Sequence, residues 1–152
     1  MKVSRALLFA SGLSLLAACH EQTSQGTQEP TAAAAPTGPQ CFAYRTETDT
    51  VRLTLQTTPP TVTGQLAYCY FEKDRNTGTI SGTMHGDTLL ADYTFQSEGT
   101  TSVRQVAFLR RDIGFVEGYG PVAERAGKTV FTSPSTLHFD AKYTLLPVAC
   151  PK

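Results

Sequence analysis

The chain has 152 residues, with 13 Lys and Arg against 13 Asp and Glu, four Cys and no Trp. This even balance excludes the basic footprint that nucleic acid recruits. Arg110-Arg111 is the lone basic pair and reads as a solvated strand end.

The first element in chain order is a leader. Lys2 and Arg5 start it, and residues 6–18 follow without a charge. A charged start, an apolar middle and small residues at the end are the layout of a secretory signal. An uncharged run of thirteen residues falls short of the about 20 that a membrane-spanning helix needs.

The leader ends on Leu16-Ala17-Ala18-Cys19. This resembles the lipobox of bacterial lipoproteins: an aliphatic residue, two small residues, then cysteine. The resemblance covers only the leader. It implies removal of residues 1–18, a diacylglyceryl thioether on Cys19, and acyl chains, palmitate among them, that hold the chain to a membrane. Each buried methylene contributes about 0.8 kcal/mol, and more than one chain makes the anchor stable. The plainer reading is an ordinary signal peptide followed by a chance cysteine. The implied location is the bacterial cell envelope. In enteric bacteria an aspartate after the cysteine favours the inner membrane, so His20 is compatible with the outer one; the face stays open. Lys2 and Arg5 would leave with the leader, so the remaining 134 residues carry 11 Lys and Arg against 13 Asp and Glu, a net charge of −2.

Residues 19–40 come next. From His20 to Gln40 there is no aromatic residue and no aliphatic one larger than alanine. Such a stretch cannot bury enough surface to offset ordering, so a disordered tether is expected, with a mean reach of roughly 25 Å. Residues 41–152 remain for one domain, enough for a single core.

In that domain, β-type runs alternate with turn signals. Residues 50–57 place Val51, Leu53 and Leu55 on one face and Arg52, Thr54 and Gln56 on the other, the period of a half-buried strand. Residues 62–74 are the next run, and residues 75–78 read as a turn with Gly78 at positive φ. Residues 79–87 lead through a Gly86-Asp87 hairpin turn into residues 88–96. Further runs are 102–111 and 114–120, then 136–139 and 142–149. Residues 122–128 read as one helical turn ending at Gly127. The glycines of residues 78–86 lack the lysine and helix of a phosphate loop, so they are expected to relieve crowding in bent strands.

About eight strands at roughly ten-residue spacing predict an all-β, antiparallel domain. Hairpin turns favour a meander, and an eight-stranded meander tends to close. The expected fold is a small up-and-down barrel, similar to the calycins in architecture alone; a β-sandwich is the alternative. Cys41, Cys69 and Cys150 lie in this domain. Spacing does not fix a pairing, but a closed barrel brings its first and last strands together, which favours Cys41–Cys150. Such a bridge would stabilise the fold by about 4.7 kcal/mol on the chain-entropy estimate for a loop of about 100 residues. Cys69 would then be a buried free thiol acting as a small hydrophobe.

Four residues are candidates for a metal site: His85, Asp87, His138 and Asp140. Each His-x-Asp pair points one way on a strand, so two adjacent strands would assemble two imidazoles and two carboxylates. The plainer reading makes Asp87 a turn former and Asp140 a strand terminator. No catalytic serine elbow is present, and no catalytic residue or cofactor is expected. Glu117, between Phe115 and Tyr119, reads as the outward residue of its strand or as an acid in an apolar setting. Glu98 and Arg104 flank a turn and are expected to pair across it, which contributes about 0–1 kcal/mol.

Residues 66–71, Leu-Ala-Tyr-Cys-Tyr-Phe, are apolar or aromatic on both faces. Either the chain covers the outer face, or Tyr68, Tyr70 and Phe71 belong to a ligand cavity or partner patch. The functional expectation is an envelope lipoprotein, non-enzymatic, whose partners are the membrane through its anchor and a small apolar ligand or an envelope protein. A metal-binding protein or enzyme using His85 and His138 is one alternative, and a structural spacer the other.

Overall fold

The computed structural model describes residues 38–58, 60–73 and 75–151. The expected leader, Cys19 and the expected tether as far as residue 37 lie outside them. Ten strands follow in order: β1 (Gln40–Arg45), β2 (Thr50–Thr58), β3 (Thr61–Cys69), β4 (Asn76–His85), β5 (Thr88–Ser97), β6 (Thr100–Arg111), β7 (Gly114–Tyr119), β8 (Val122–Arg125), β9 (Lys128–Phe131) and β10 (His138–Val148).

Strands β1 to β7 pair antiparallel, each with the next, and β10 pairs with both β7 and β1. Eight strands therefore close into an up-and-down barrel, as expected. Closure leaves those eight no free edge. The β8–β9 hairpin is additional. It joins β6 in parallel at Arg104 and Thr129, on the stretch of β6 that the shorter β7 does not reach.

Side-chain alternation explains what is inside. On β2, Val51, Leu53 and Leu55 are buried, while Arg52 and Thr54 between them are half-exposed. On β4, Thr77, Thr79, Ser81 and Thr83 face water and Ile80 faces the core. An apolar interior under a polar exterior is the reverse of a membrane-spanning barrel. The core runs through Leu53, Leu66, Ile80, Leu89, Phe108, Phe115 and Leu145, all fully buried. Each such side chain contributes about 1.5–3 kcal/mol by leaving water.

Cys41 and Cys150 form a disulfide, with Cα atoms 5.2 Å apart. Barrel closure sets this proximity, because Cys41 on β1 lies opposite Val148 on β10.

Three local expectations change. Residues 122–128 are not helical: Ala126 and Gly127, both at positive φ, make the tight turn between β8 and β9. The runs 136–139 and 142–149 are mostly one strand, β10, interrupted by an irregularity between Phe139 and Thr144. Gly78 is not a turn residue but lies within β4, where a Cβ would sit 2.0 Å from the Thr94 carbonyl oxygen. Its missing side chain lets β4 and β5 approach, the crowding relief anticipated for these glycines.

Candidate functional site

The turns after β1, β3 and β5 share one end of the barrel, marked by the register pairs Arg45–Thr50, Tyr68–Asn76 and Ser97–Thr100. The turns after β2, β4 and β6 share the other end with the disulfide. The chain has six tyrosines, and all of them join one cluster toward the first end. Tyr44 on β1 meets Tyr143 on β10 with ring centres 5.6 Å apart. Tyr68 on β3 lies 5.9 Å from both Tyr70 and Tyr93 of β5. Tyr119 ends β7. Tyr143 sits in the irregular stretch of β10, where Asp140 accepts the Lys142 amide and Thr144 caps the Ala141 carbonyl.

Glu117 is at the centre. Phe115, Glu117 and Tyr119 share the inward face of β7, so the period of two carries a carboxyl into the barrel. It is 6% exposed, the one buried charged side chain among the described residues. Tyr68 Oη donates to its Oε1 at 2.5 Å, and Tyr119 Oη donates to its Oε2 at 2.9 Å. Burial pushes the carboxyl above its ordinary value; the two phenol hydrogen bonds, then the Arg104 charge, pull it back. The phenols answer in kind. Burial, then the Glu117 charge, pushes Tyr68 and Tyr119 well above the ordinary phenol value.

Arg104 enters from β6, on the same face as Val106 and Phe108. Its guanidinium carbon lies 5.0 Å from the Tyr68 ring centre, 5.5 Å from Tyr93 and 5.6 Å from Phe95. A cation within about 6 Å of ring centres is attracted by their negative faces. Arg104 Nε and Tyr93 Oη are buried with no hydrogen-bond partner among the described residues.

Beside this cluster lies a cavity of about 330 Å³. Four tyrosines, Tyr44, Tyr70, Tyr119 and Tyr143, line it with Asp49 and Glu117; Val51 and Leu145 complete the wall. Its size falls within the range of small-molecule pockets. A larger hollow of about 610 Å³ lies at the disulfide end, around Pro39, Arg110, Asp112 and Ile113. It holds no buried charge, so the tyrosine end is the candidate site.

The expected residues separate. Tyr68 and Tyr70 belong to the site. Phe71 is on the turn beyond β3, 62% exposed, and its amide donates to Asp49 Oδ1 at 2.9 Å. Cys69 is not a buried hydrophobe. Tyr68 points inward, so Cys69 points outward, where it is an exposed free thiol. Among the described residues, nothing covers the outer face of β3 at that point.

The His and Asp candidates do not meet. His85 and Asp87 lie at the disulfide end, with His85 Nε2 3.0 Å from Thr83 Oγ1. His138 starts β10 at the tyrosine end, opposite Tyr119. Three strands separate β4 from β10, and among the described residues no three His, Cys, Asp or Glu gather as metal ligands. The Glu98–Arg104 pair is also absent, because Arg104 turns inward and Glu98 sits at positive φ in the hairpin. The ion pair among the described residues joins Lys128 of β9 to Asp92 of β5.

Sequence reasoning favoured an outward Glu117 and passed over Tyr44, Tyr93, Tyr119, Tyr143 and Asp49. The signal for Glu117 was its place two residues from aromatic neighbours on both sides. Nothing local marked the other tyrosines, since strand pairing alone brings them together. No protein-family model, curated protein or solved structure matches the chain.

Proposed function

We propose that this is a lipid-anchored protein of the bacterial envelope whose barrel holds a small, largely apolar ligand at its tyrosine-lined end. Glu117 carries the reading. A barrel built for stability alone fills its interior with apolar side chains, because a buried carboxyl costs several kcal/mol unless it is compensated. Here the chain retains that carboxyl, compensates it with two phenols, and leaves about 330 Å³ open beside it. Buried acids with displaced titration gather at functional sites.

The anchor half rests on Leu16-Ala17-Ala18-Cys19. A tether leading into β1 at Gln40 would enter at the disulfide end, remote from the cavity. Mass spectrometry of the native protein tests this half: the expected N-terminal peptide begins at a diacylglyceryl Cys19. An unmodified thiol or an intact leader would remove the envelope assignment.

For the ligand half, side-chain resonances of the whole protein in detergent would be followed while an extract of its own cells is added. Tyr44, Tyr70, Tyr119 and Tyr143 are expected to shift together while Ile113 at the disulfide end stays still. Unmoved tyrosines would end the ligand reading. A second reading, an envelope protein capping the mouth, draws on the exposed rim of Phe71, Tyr119 and Tyr143, at 62%, 51% and 39%. Its signature would be Phe71 shifting ahead of Tyr70.

A further inference from the structure

We propose that the cavity takes a small organic cation, an alkylammonium or quaternary ammonium group, held by the rings of Tyr44, Tyr70, Tyr119 and Tyr143 with Asp49 and Glu117 as counter-charges. The inference rests on the ligand reading above and adds the ligand's charge.

Three observations carry it. First, four aromatic rings from separate parts of the barrel line one small cavity, and aromatic faces attract cations. Second, the charged groups of the lining are both carboxyls, with no Lys, Arg or His among them. An anion there would meet two acids and no basic side chain of the lining; a cation meets the acids as counter-charges. Third, the neighbouring rings already hold a cation of the chain itself, since Arg104 stands over Tyr68, Tyr93 and Phe95. Arg104 offsets part of the Glu117 charge, and Asp49 remains beside it in the wall.

Lys142 supplies a test of sign. Its Nζ lies 5.3 Å from the centre of the Tyr143 ring, the one lining ring under a cation of the chain among the described residues. Lys142 is exposed, so its replacement leaves the core intact. A bound cation competes with Lys142 for that ring, whereas a bound anion gains from it.

The probes are choline and its neutral tert-butyl isostere, in which carbon replaces the ammonium nitrogen, with acetate as the anion. The whole protein in nonionic detergent is titrated and its intrinsic emission followed. That emission is tyrosine emission, because the chain has no Trp. Choline is expected to change it saturably, and the isostere to bind at least about tenfold more weakly. Lys142→Gln should tighten choline binding severalfold, and Asp49→Asn should weaken it. Equal or tighter binding of the isostere or acetate, or weaker choline binding in Lys142→Gln, overturns the cation and leaves the cavity as a ligand site. Failure of choline to move the emission of protein with native circular dichroism also overturns the cation, whereas the ligand reading falls only if the tyrosine resonances stay unmoved in the cell-extract titration.

Discussion

Tyr68 and Glu117 are 49 residues apart in the chain, yet the phenol oxygen of one lies 2.5 Å from a carboxylate oxygen of the other. The contact spans the barrel interior from β3 to β7 and ties two walls together through polar atoms. A buried acceptor that loses its donor keeps its desolvation cost, about 1–3 kcal/mol and more for a charged group.

Tyr68→Phe keeps the ring and deletes that donor. It is expected to lower unfolding free energy by about 1–3 kcal/mol in a urea titration. Tyr119→Phe should cost less, because Tyr119 is 51% exposed and its hydrogen bond to Glu117 is longer, 2.9 Å against 2.5 Å. In a double-mutant cycle, Tyr68→Phe and Glu117→Gln should be strongly non-additive. Additive effects would mean that the two groups do not interact.

The same cluster sets the alkaline behaviour. Burial pushes Tyr93 up to about 12 despite the Arg104 charge, and Tyr68 and Tyr119 also hold their protons above the ordinary phenol value. Above about pH 10 the unfolded chain loses phenol protons that the folded one keeps, so the folded state binds more protons and stability falls as pH rises. This contribution is intact below about pH 10 and is lost as pH climbs through the folded values. Urea midpoints should turn down only above that point, and phenolate absorbance should appear in full only on unfolding. A native protein whose six tyrosines all ionise near pH 10 would contradict the buried cluster.

The disulfide offers a large effect with an internal control. Replacing Cys41 and Cys150 by serine, or reducing the pair, should cost up to about 4.7 kcal/mol. Cys69→Ser should stay within about 0.5 kcal/mol, as exposed substitutions do. An equal loss from both would mean that Cys69 has a structural partner.

Gly78 makes a prediction about closure. Gly78→Ala would place a Cβ 2.0 Å from the Thr94 carbonyl oxygen, so the β4–β5 ladder must shift, at a cost of about 1–3 kcal/mol or more. Alanine at Gly38, which has nothing within 4 Å, should be silent. Thermal unfolding of the two variants separates close approach from a general glycine effect.

Local information went far with this chain. The alternation of Val51, Leu53 and Leu55 named both the strand and its buried face, and the spacing of strands and turns favoured a closed barrel. Closure in turn favoured the Cys41–Cys150 bridge. These features are legible because period, turn chemistry and chain order act over a few residues or follow from the topology as a whole. Residues 122–128 were not, because a four-residue strand carries too little periodicity to be told from a helical turn.

The site itself belongs to the tertiary structure. Which face of a strand is inside depends on its register with both neighbours. That register turned Arg104 toward Tyr68 rather than Glu98, and set His138 opposite Tyr119, three strands from the one that carries His85. Tyr44, Tyr70, Tyr119 and Tyr143 are scattered over 100 residues of chain and meet only because β10 returns to pair with β1 and β7. The physical reason is one of range: alternation is written into neighbouring residues, whereas convergence is written only into the hydrogen-bonded circuit that closes the barrel.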